Sequence, residues 1–417
     1  MKDALHQSIA ARQATVGVVG LGYVGLPLAL AAETAGFRVV GLDTDTDAAH
    51  SARHSHGLRV TADYADLADA DCICIAVPTP LRRNQEPDPS FITAAIDALL
   101  PHLKRGALLV LESTTWPGTT RELVAAPLQR AHNWRIGHDV FVAFAPERID
   151  PGNPHWRIDN TPRVVGGITP ACTALAATFY RALTTDVIEM RSPEEAEATK
   201  LLENTFRAVN IALVNEFALM AHRLDLDIWN IVDAAATKPF GFMPFYPGPG
   251  IGGHCIPLDP IYMAWKARSV GYHSRFIALA TDLNNNMPRI VVERLAALLN
   301  DHQRPLKGTR VLIAGLAYKK NVGDLRESPA LRILQLLQQK GAVVHGVDPH
   351  VPPSTGELPC DMAATTPQSL STYHAAVLVT DHDAFDYALL AEALPLILDC
   401  RGAFRKRGIQ GPHISAL

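Results

Sequence analysis

The sequence predicts an α/β protein in which two doubly wound parallel-sheet domains are joined by a central region of long helices. Two observations carry this prediction. Strand-like and helix-like runs alternate along the chain, which is typical of parallel sheets covered by helices. A unit made of a strand, a glycine turn, a helix, a second strand and a closing aspartate also occurs twice, at residues 20–43 and 315–348.

The first domain is predicted to span residues 1–190. A β-branched strand at 16–19 runs into the glycine turn, a helix follows at 26–35, and Gly36 ends it. The next strand is expected at 37–42, with Asp43 as the closing residue. Further strand-like runs lie at 72–77, 107–111 and 140–145. This order indicates a Rossmann-like nucleotide-binding domain.

Residues 191–306 are predicted to form the helical middle. Ser192, Pro193 and Glu195 provide an N-cap serine, a first-turn proline and a capping-box glutamate. We therefore expect a long helix from Pro193 to about His222. A second helical stretch is expected at 274–300, where Pro288 marks a kink or a restart.

The third domain, residues 307–417, repeats the pattern of the first. A strand at 310–314 leads into a turn at Gly315, and Ser328-Pro329 opens a helix that Gly341 ends. A strand at 343–347 and Asp348 complete the unit. The loop after this glycine turn is longer than in the first domain, so a different task is expected of it.

Composition limits the classes of partner. The 417 residues are 48% hydrophobic with a formal net charge of -4, so no strong field attracts nucleic acid or an anionic membrane. The six cysteines, with Cys72 and Cys74 expected in the core, lack a zinc-like pairing and indicate reduced thiols in a cytoplasmic protein; no metal site is expected. No signal-peptide core or bilayer-spanning stretch is present. The basic run 401–407 is either a local pocket or a solvated tail.

The first glycine motif predicts NAD. Gly20 allows the tight turn, Gly22 lets backbone approach a pyrophosphate at the helix N-terminus, and Gly25 permits close packing of helix on strand. Asp43 would accept hydrogen bonds from a ribose diol and repel a 2′-phosphate, which favours NAD over NADP. The alternative is a glycine-rich turn that binds nothing.

A second glycine-rich segment, PGPGIGGHCIP at 247–257, places four glycines just before one cysteine. Such a loop buries little, so Cys255 is not expected in an ordinary core. Backbone N–H groups brought close to a reacting centre would lower the pKa of the thiol and hold an oxyanion. Asp259 lies near enough in sequence to reach the same site. The alternative is a structural loop that happens to contain a cysteine.

Lys200 and Asn204, four residues apart, share one face of the predicted long helix. A desolvated lysine there would serve as a base or an oxyanion partner, whereas a solvated helix face is the alternative. The opposite, apolar side is formed by Leu202, Phe206, Val209 and Leu213.

Three loops follow predicted strands at the edge where sheets of this kind bind ligands, namely 78–80, 112–119 and 145–148. The loop of the third domain carries Lys319, Asn321, Asp324 and Arg326. Cations beside a glycine turn suit a second pyrophosphate, and a surface salt-bridge cluster is the alternative.

Together these segments resemble the UDP-glucose/UDP-N-acetylhexosamine 6-dehydrogenase family. The likeness runs from Val16 to about Gly402. It rests on six segments in the family's order, GLGYVGLPLA, ESTTWPGTT, APERIDPGN, ATKLLENTFRAVNIALVNE, GPGIGGHCIPLDP and GLAYKKNVGDLRESPAL.

The resemblance implies a four-electron oxidation that uses two NAD. A primary alcohol loses a hydride, Cys255 traps the aldehyde as a thiohemiacetal, a second hydride leaves a thioester, and water cleaves it to a carboxylate. Lys200 would support oxyanions or accept protons, and Asn204 would hydrogen-bond the reacting oxygen. Asp259 would lie near that lysine and the water, which Thr114 and Glu147 would help to order.

The expected cofactor-binding residues are Gly20, Gly22, Tyr23, Val24, Gly25, Asp43, Pro78, Thr79, Ser113 and Thr114. The expected substrate-binding residues are Glu147, Arg148, Lys200, Asn204, Gly252, Gly253, Lys319 and Arg401. The resemblance also implies that the third domain binds UDP and that the central helices form a homodimer interface.

Two positions bear on water and substrate. Many members of the family carry a second glutamate four residues after the one that matches Glu147. This chain has Pro151 at that position. His254 stands where glucose-oxidising members often have serine, and residues 238–249 look like the branch acting on UDP-N-acetylglucosamine, which feeds surface polysaccharide synthesis. UDP-N-acetylmannosamine and UDP-glucose stay open as substrates.

Two other functions are alternatives for such a sequence. A two-electron alcohol dehydrogenase would stop at the aldehyde or ketone, but hydride transfer alone needs no thiol such as Cys255. A non-catalytic nucleotide-sugar-binding protein would not need Cys255, Lys200, Asn204 and Asp259 together.

Overall fold

The computed structural model describes residues 1–45, 57–82, 84–149, 153, 155–253, 255–352 and 358–417. The chain divides into two compact units, one of Met1–Glu203 with Ile261–His273 and one of Asn204–Pro260 with Ser274–Leu417. The boundary between them falls inside a long helix. The three-part division predicted at residues 190/191 and 306/307 stays a prediction.

The first unit is built on a sheet of eight strands within the described residues, in the order β3-β2-β1-β4-β5-β6-β7-β8. Neighbouring strands are parallel except β6 and β7, which are antiparallel. The first six follow the order of a dinucleotide-binding sheet. The strands are β1 Thr15–Val19, β2 Arg38–Leu42, β3 Val60–Thr61, β4 Cys72–Ile75, β5 Leu108–Leu111, β6 Phe141–Phe144, β7 Arg163–Gly167 and β8 Val187–Met190.

Helices cover both faces of this sheet, so the inner strands are apolar on both sides. Cys72 and Cys74 pack on one face and Ile73 and Ile75 on the other, all buried, which confirms the two cysteines as core residues. The helices are α1 Lys2–Ala10, α2 Gly25–Thr34, α3 Ser90–Leu99, α4 Ala126–His132 and α5 Pro170–Tyr180; short 3-10 turns at Tyr64–Leu67 and Leu100–His102 and a π-helical turn at Thr120–Ala125 complete the set.

Long helices follow, and the first begins where the capping signal predicts. The Ser192 hydroxyl accepts a hydrogen bond from the Glu195 N–H at 3.2 Å, and the Glu195 carboxylate accepts one from the Arg191 N–H at 3.2 Å. The predicted helix from Pro193 is thereby confirmed. These helices are α6 Pro193–Arg223, α7 Ile228–Ala236, α8 Asp259–Ser269 and α9 Arg275–Asp301.

A kink or a restart was expected at Pro288; the restart is wrong, because α9 continues through this residue, and the kink stays a prediction. Proline lacks an N–H and leaves the carbonyl of residue i−4 without its helical partner, here Asn284. Gly250 packs beside both residues, with an added Cβ only 3.1 Å from the Asn284 oxygen and 3.5 Å from the Pro288 ring. Burial of Asn284 and Pro288 against this loop keeps the helix continuous.

The second unit contains a parallel sheet whose described strands follow the order β10-β9-β11-β12-β13. The strands are β9 Arg310–Ala314, β10 Val343–Val347, β11 Ala375–Leu378, β12 Ile397–Asp399 and β13 Ile414–Ala416; the helices are α10 Pro329–Gln339, α11 Pro367–Leu370, α12 Tyr387–Ala393 and α13 Ala403–Lys406. The Ser328 hydroxyl accepts from the Ala330 N–H at 3.2 Å and caps α10. The prediction of two Rossmann-like sheets with a helical region between them in sequence is confirmed.

Candidate active site

The glycine turn of the first unit has the shape that a dinucleotide needs. Gly20 adopts a φ of +89°, and a methyl group at Gly25 would overlap the Gly20 carbonyl oxygen. Gly22 is exposed, and a Cβ there would meet no atom within 4 Å. Val24 provides no side-chain cap for α2, so the N-terminal amides of this helix are suited to a pyrophosphate. The residues present therefore fit NAD at this turn.

Asp43 holds the turn from the end of β2. Its carboxylate accepts hydrogen bonds from the Leu21 N–H at 2.7 Å and from the Asp45 N–H at 2.9 Å. A carboxylate has about four acceptor positions, so capacity for a ribose diol is left. The exposed Tyr23 lies in the same turn.

Hydrogen bonds join the loops that follow β4 and β5. The Thr79 hydroxyl donates to the Thr114 carbonyl at 2.8 Å, and the Ser113 hydroxyl donates to the Val77 carbonyl at 2.7 Å. The Tyr262 hydroxyl of α8 donates to the Thr79 carbonyl. The structure thus brings Thr79, Ser113 and Thr114 together, with Pro78 exposed beside them.

Glu147, at the end of β6, is a buried carboxylate with three donors. Arg163 donates to one oxygen at 2.6 Å, and the Arg148 and Ile149 N–H groups donate to the other at 2.7 Å each. Burial acts to raise the pKa of Glu147, but Arg163 and the two amides outweigh it and hold that pKa below its usual value. Glu147 therefore stays an anion, which suits orienting water better than donating a proton.

Arg163 also donates to a second buried carboxylate, Glu112 at the end of β5. The Tyr180 hydroxyl donates to the other oxygen of Glu112, and the Arg163 guanidinium lies 4.8 Å from the Tyr180 ring centre. Burial raises the pKa of Glu112 to about 7, with Arg163 opposing the rise and the charge of Glu147 adding to it. The Arg163 guanidinium thus lies between two buried carboxylates, one after β5 and one after β6.

Lys200 is only 8% exposed on α6, so the solvated-face alternative is wrong for this residue. Among the described residues its ammonium makes no hydrogen bond or ion pair, which leaves it able to meet an anionic atom of a ligand. Arg148 pairs with Glu203 at 2.6 Å and donates to the Pro162 carbonyl at 2.7 Å, and its expected contact with the substrate stays a prediction.

Asn204, one turn after Lys200, belongs to the second unit together with Cys255 and Asp259. The Asn204 amide donates to the buried carboxylate of Asp259. The Asp259 N–H in turn donates to the Cys255 carbonyl at 2.9 Å, so the half-buried cysteine lies one turn before this acid. The structure therefore brings three of the predicted catalytic residues into one hydrogen-bonded group.

The glycines before Cys255 serve mainly close packing. A Cβ at Gly252 would lie 2.6 Å from the Glu327 carbonyl and 2.8 Å from Tyr318, and Gly253 adopts a φ of +84° against the Tyr318 ring. The Gly253 N–H donates to the Arg326 carbonyl at 3.0 Å. Its N–H is thus engaged within the protein, in contrast to the expectation that these amides face an oxyanion. His254 and Pro151 lie outside the described residues.

The third-domain candidates are partly used in internal contacts. Arg401 donates from Nε to the Val379 carbonyl at 2.8 Å, and an added Cβ at Gly248 would lie 2.8 Å from its guanidinium. Arg326 pairs with Asp324 at 2.6 Å, as the salt-bridge alternative predicts, and Lys319 is half-buried. This loop therefore contains both pairings within the protein and a cation near the glycine turn.

The basic run at 401–407 is not a solvated tail. Arg405 pairs with Asp233 at 2.9 Å, and Arg407 packs over the Tyr387 ring at 3.7 Å. Lys406 lies 5.5 Å from the Trp229 ring centre. These cations hold α13 in the second unit. Arg401, at the start of the run, lies beside Gly248 of the cysteine loop.

The acid that closes β10 differs from its counterpart Asp43. Asp348 is buried and accepts from the Leu316 N–H at 2.8 Å and the Ala317 N–H at 2.9 Å. It also accepts from His382 at 2.9 Å, whose other ring nitrogen accepts from the Asn321 N–H at 2.9 Å. The Asp348–His382 pair thus braces the longer second loop from within.

Sequence reasoning missed several polar residues of the site. Glu112 directly follows the apolar strand β5, and Arg163 begins the strand β7. A charged residue next to an apolar strand is the sequence signal that could have indicated a buried ion pair here. Asn215 accepts from the Gly248 N–H at 2.9 Å and donates to Asn284 at 3.1 Å, anchoring the start of the cysteine loop. Helical spacing provides no signal for such a long-range contact.

Comparison with known proteins identifies the family of this chain. Three models of the UDP-glucose/GDP-mannose dehydrogenase family match the chain, namely the NAD binding domain at residues 46–184, the central domain at 194–286 and the UDP binding domain at 312–406. The UDP-N-acetyl-D-glucosamine 6-dehydrogenase of Pseudomonas aeruginosa is 34% identical over 386 residues, covering 89% of this chain and 91% of the relative.

A UDP-N-acetyl-D-mannosamine dehydrogenase of Methanococcus maripaludis is 33% identical over 388 residues, covering 88% of this chain and 86% of the relative. The solved structure of a UDP-D-ManNAc dehydrogenase from Pyrococcus horikoshii matches with a TM-score of 0.86 at 29% identity, covering 96% of this chain and 98% of that one. Fold and site thus define an NAD-dependent dehydrogenase of UDP-sugars. Within that class, the chain belongs to the UDP-glucose/GDP-mannose dehydrogenase family.

In the part of the chain that the structure describes, every helix is too short or too polar to cross a lipid bilayer.

Proposed function

We propose that the protein oxidises the C6 hydroxymethyl group of UDP-N-acetyl-D-glucosamine to the carboxylate of UDP-N-acetylglucosaminuronate. The balanced reaction consumes one sugar nucleotide, two NAD⁺ and one water, and it yields one carboxylate, two NADH and three protons. The grouping of Asn204, Asp259 and Cys255 supports this proposal most, because a cysteine one turn before a buried acid that binds an amide suits acyl chemistry at an aldehyde carbon.

NAD, when bound at the glycine turn of the first unit, supplies the acceptor for each hydride. The chain's own residues hold the carbon and its oxygen. The Cys255 sulfur adds to the aldehyde carbon, and the thioester formed after the second oxidation is cleaved when water attacks that carbon and the sulfur leaves as thiolate. Asn204 has two amide hydrogens, of which Asp259 takes one, so the other is available for the oxyanion.

For Lys200 we propose the role that the family resemblance implies, a cation that supports the oxyanion or accepts a proton. Its burial without an internal partner among the described residues favours a role toward a ligand, since a buried ammonium is costly unless paired. Glu147 and Thr114, at neighbouring strand ends of the first unit, would order the hydrolytic water. The ionised state of Glu147 agrees with that role.

The choice of N-acetylglucosamine rests on residues 238–249 and on the similarity to the Pseudomonas aeruginosa enzyme. We further propose that the product forms in the cytoplasm and feeds surface polysaccharide synthesis, the role that the family resemblance implies. NADH production with UDP-glucose and the UDP-N-acetyl derivatives of glucosamine, mannosamine and galactosamine tests the substrate. Faster turnover with another sugar would refute the choice while leaving the chemistry intact.

The thioester mechanism is tested by Cys255→Ser. We expect carboxylate production to stop and an ester-like adduct to accumulate on the serine, visible as a mass increase of the intact protein. Cys360→Ser is the matched control, since Cys360 is also a half-buried thiol of the second unit. Wild-type NADH yield should be two per UDP-sugar. A yield of one, or unchanged carboxylate in Cys255→Ser, would exclude the mechanism.

We also propose a homodimer through α6. Phe206, Leu213, Phe217 and Met220 recur at spacings of seven, four and three residues and are 43–50% exposed. An exposed apolar stripe of this kind marks an interface. Phe217→Glu should therefore lower the mass measured by light scattering, whereas Ile188→Glu, at an exposed apolar residue of β8, should not. A wild-type monomer would refute this part of the proposal.

A further inference from the structure

Glu197 is a carboxylate of α6 that is 0% exposed and lies three residues before Lys200. A carboxylate is almost never fully buried unless its oxygens accept hydrogen bonds or pair with a cation. None of the roles described above uses this side chain. The burial of this carboxylate on α6, the helix that carries Lys200, therefore needs a physical explanation.

Three donors from one short stretch of chain satisfy the Glu197 carboxylate. The Gly118 N–H donates to one oxygen at 2.6 Å. The Thr120 N–H and hydroxyl donate to the other at 2.8 Å and 2.7 Å. The Thr120 N–H is the first amide of the helical run that begins at this residue and continues into α4, and such amides lack partners within their own helix; Gly118 lies two residues before the run. The carboxylate thus acts as a long-range cap.

The loop that ends at this cap is the one that carries Thr114. Its other end is tied by the bond from Thr79 to the Thr114 carbonyl, and its middle by a 2.7 Å hydrogen bond between the Thr115 and Thr119 hydroxyls. Glu197 therefore ties the far end of this loop to α6. A second tie, between Arg121 and Glu194 at 2.7 Å, joins the same two segments at the solvent-exposed surface.

We propose that Glu197 is a positioning residue that sets the loop of Thr114 against the helix of Lys200. The inference rests on the proposed function, in which those two residues act on the oxyanion and the hydrolytic water. The carboxylate is needed because glutamine offers one acceptor oxygen and would turn an NH₂ toward an N–H donor. Aspartate is one methylene shorter and would not reach both Gly118 and Thr120.

The test compares Glu197→Gln with Glu194→Gln, the same chemical change at the exposed tie between the same segments. With the UDP-sugar that turns over fastest, we expect kcat of Glu197→Gln to fall at least tenfold while KM for that sugar changes less than twofold. The expected UDP contacts, Lys319 and Arg401, lie in the second unit and are untouched. Glu194→Gln should stay within twofold of wild type in both constants.

A rapid-mixing experiment separates positioning from general loss of structure. If the water around Thr114 is disturbed, both hydrides leave before hydrolysis, so Glu197→Gln should show a burst of NADH in proportion to active sites, followed by slow turnover. Inactive, misfolded enzyme produces no such burst. Thr120→Val removes only the hydroxyl bond and should give a smaller fall in kcat, which keeps the test decisive if Glu197→Gln folds poorly.

Three outcomes would overturn the inference. The first is that Glu197→Gln and Glu194→Gln have the same kcat. The second is that Glu197→Gln changes KM and leaves kcat as it is in the wild type. The third applies if Glu197→Gln does not fold, and it is that Thr120→Val turns over as fast as the wild type. The NADH yield of the wild type is measured first. A yield other than two defeats the proposed function itself, whereas a yield of two with normal Glu197→Gln defeats only this inference.

Discussion

Replacing Arg163 by methionine is the most revealing perturbation of the first unit. Methionine keeps the length and apolar contacts of the side chain but leaves Glu112 and Glu147 as two buried carboxylates without their shared cation. Removing one partner of a buried ion pair costs about 3–5 kcal/mol, because the charge that stays is desolvated and unpaired. In a unit of this size each kcal/mol lowers Tm by roughly 2–4 °C. We therefore expect a fall of about 6–20 °C at pH 8.

The assay is thermal and urea unfolding at pH 8 and pH 5, with Arg157→Met as the matched control. Arg157 pairs with Asp159 at 3.1 Å on the surface, where both side chains are more than 60% exposed, so about 0–1 kcal/mol is expected. The Arg163→Met deficit should shrink at pH 5, because a proton taken up by Glu112 relieves the repulsion. Equal destabilisation by the two substitutions, or no dependence on pH, would refute the ion-pair account.

Three further predictions concern the cofactor turn and pH. Gly22→Ala should raise KM for NAD with Tm nearly unchanged, whereas Gly25→Ala should lower Tm because its methyl overlaps the Gly20 carbonyl; the reverse pattern in kinetics and unfolding would contradict the turn's geometry. Asp43→Ala should weaken NAD binding and relax discrimination against NADP, and equal use of both cofactors by the wild type would show that Asp43 is misinterpreted. Burial raises the pKa of Glu197 to about 7 from 4.5, so the folded state binds this proton more tightly than the unfolded chain. The unfolding free energy of the wild type should therefore fall relative to Glu197→Gln between about pH 4.5 and 7, by up to about 1.4 kcal/mol per pH unit, and a flat difference across that range would contradict the shift.

Local signals in the chain predicted part of the secondary structure. Strands β9 and β10, the start of α6 at the Ser192 cap and the turn at Gly20 follow from patterns within a few residues. The continuity of α9 through Pro288 does not, because burial against Gly250 offsets a backbone defect that is visible locally. Strands β7 and β8 extend the first sheet beyond the predicted set, since RVVGG ends in two glycines and VIEM contains a glutamate, residue types that are depleted in strands.

The sequence by itself determined the two nucleotide-binding folds and the cofactor turn, and it singled out the cysteine, lysine and amide for which we propose catalytic roles. These depend on glycine conformation, periodicity and residue type, all of which are local properties. Only the tertiary structure decided the roles of Glu112, Arg163, Glu197 and Asp348. Each is an ionisable group buried by chain far away in sequence, and the free energy of a buried charge depends on the donors that folding places around it.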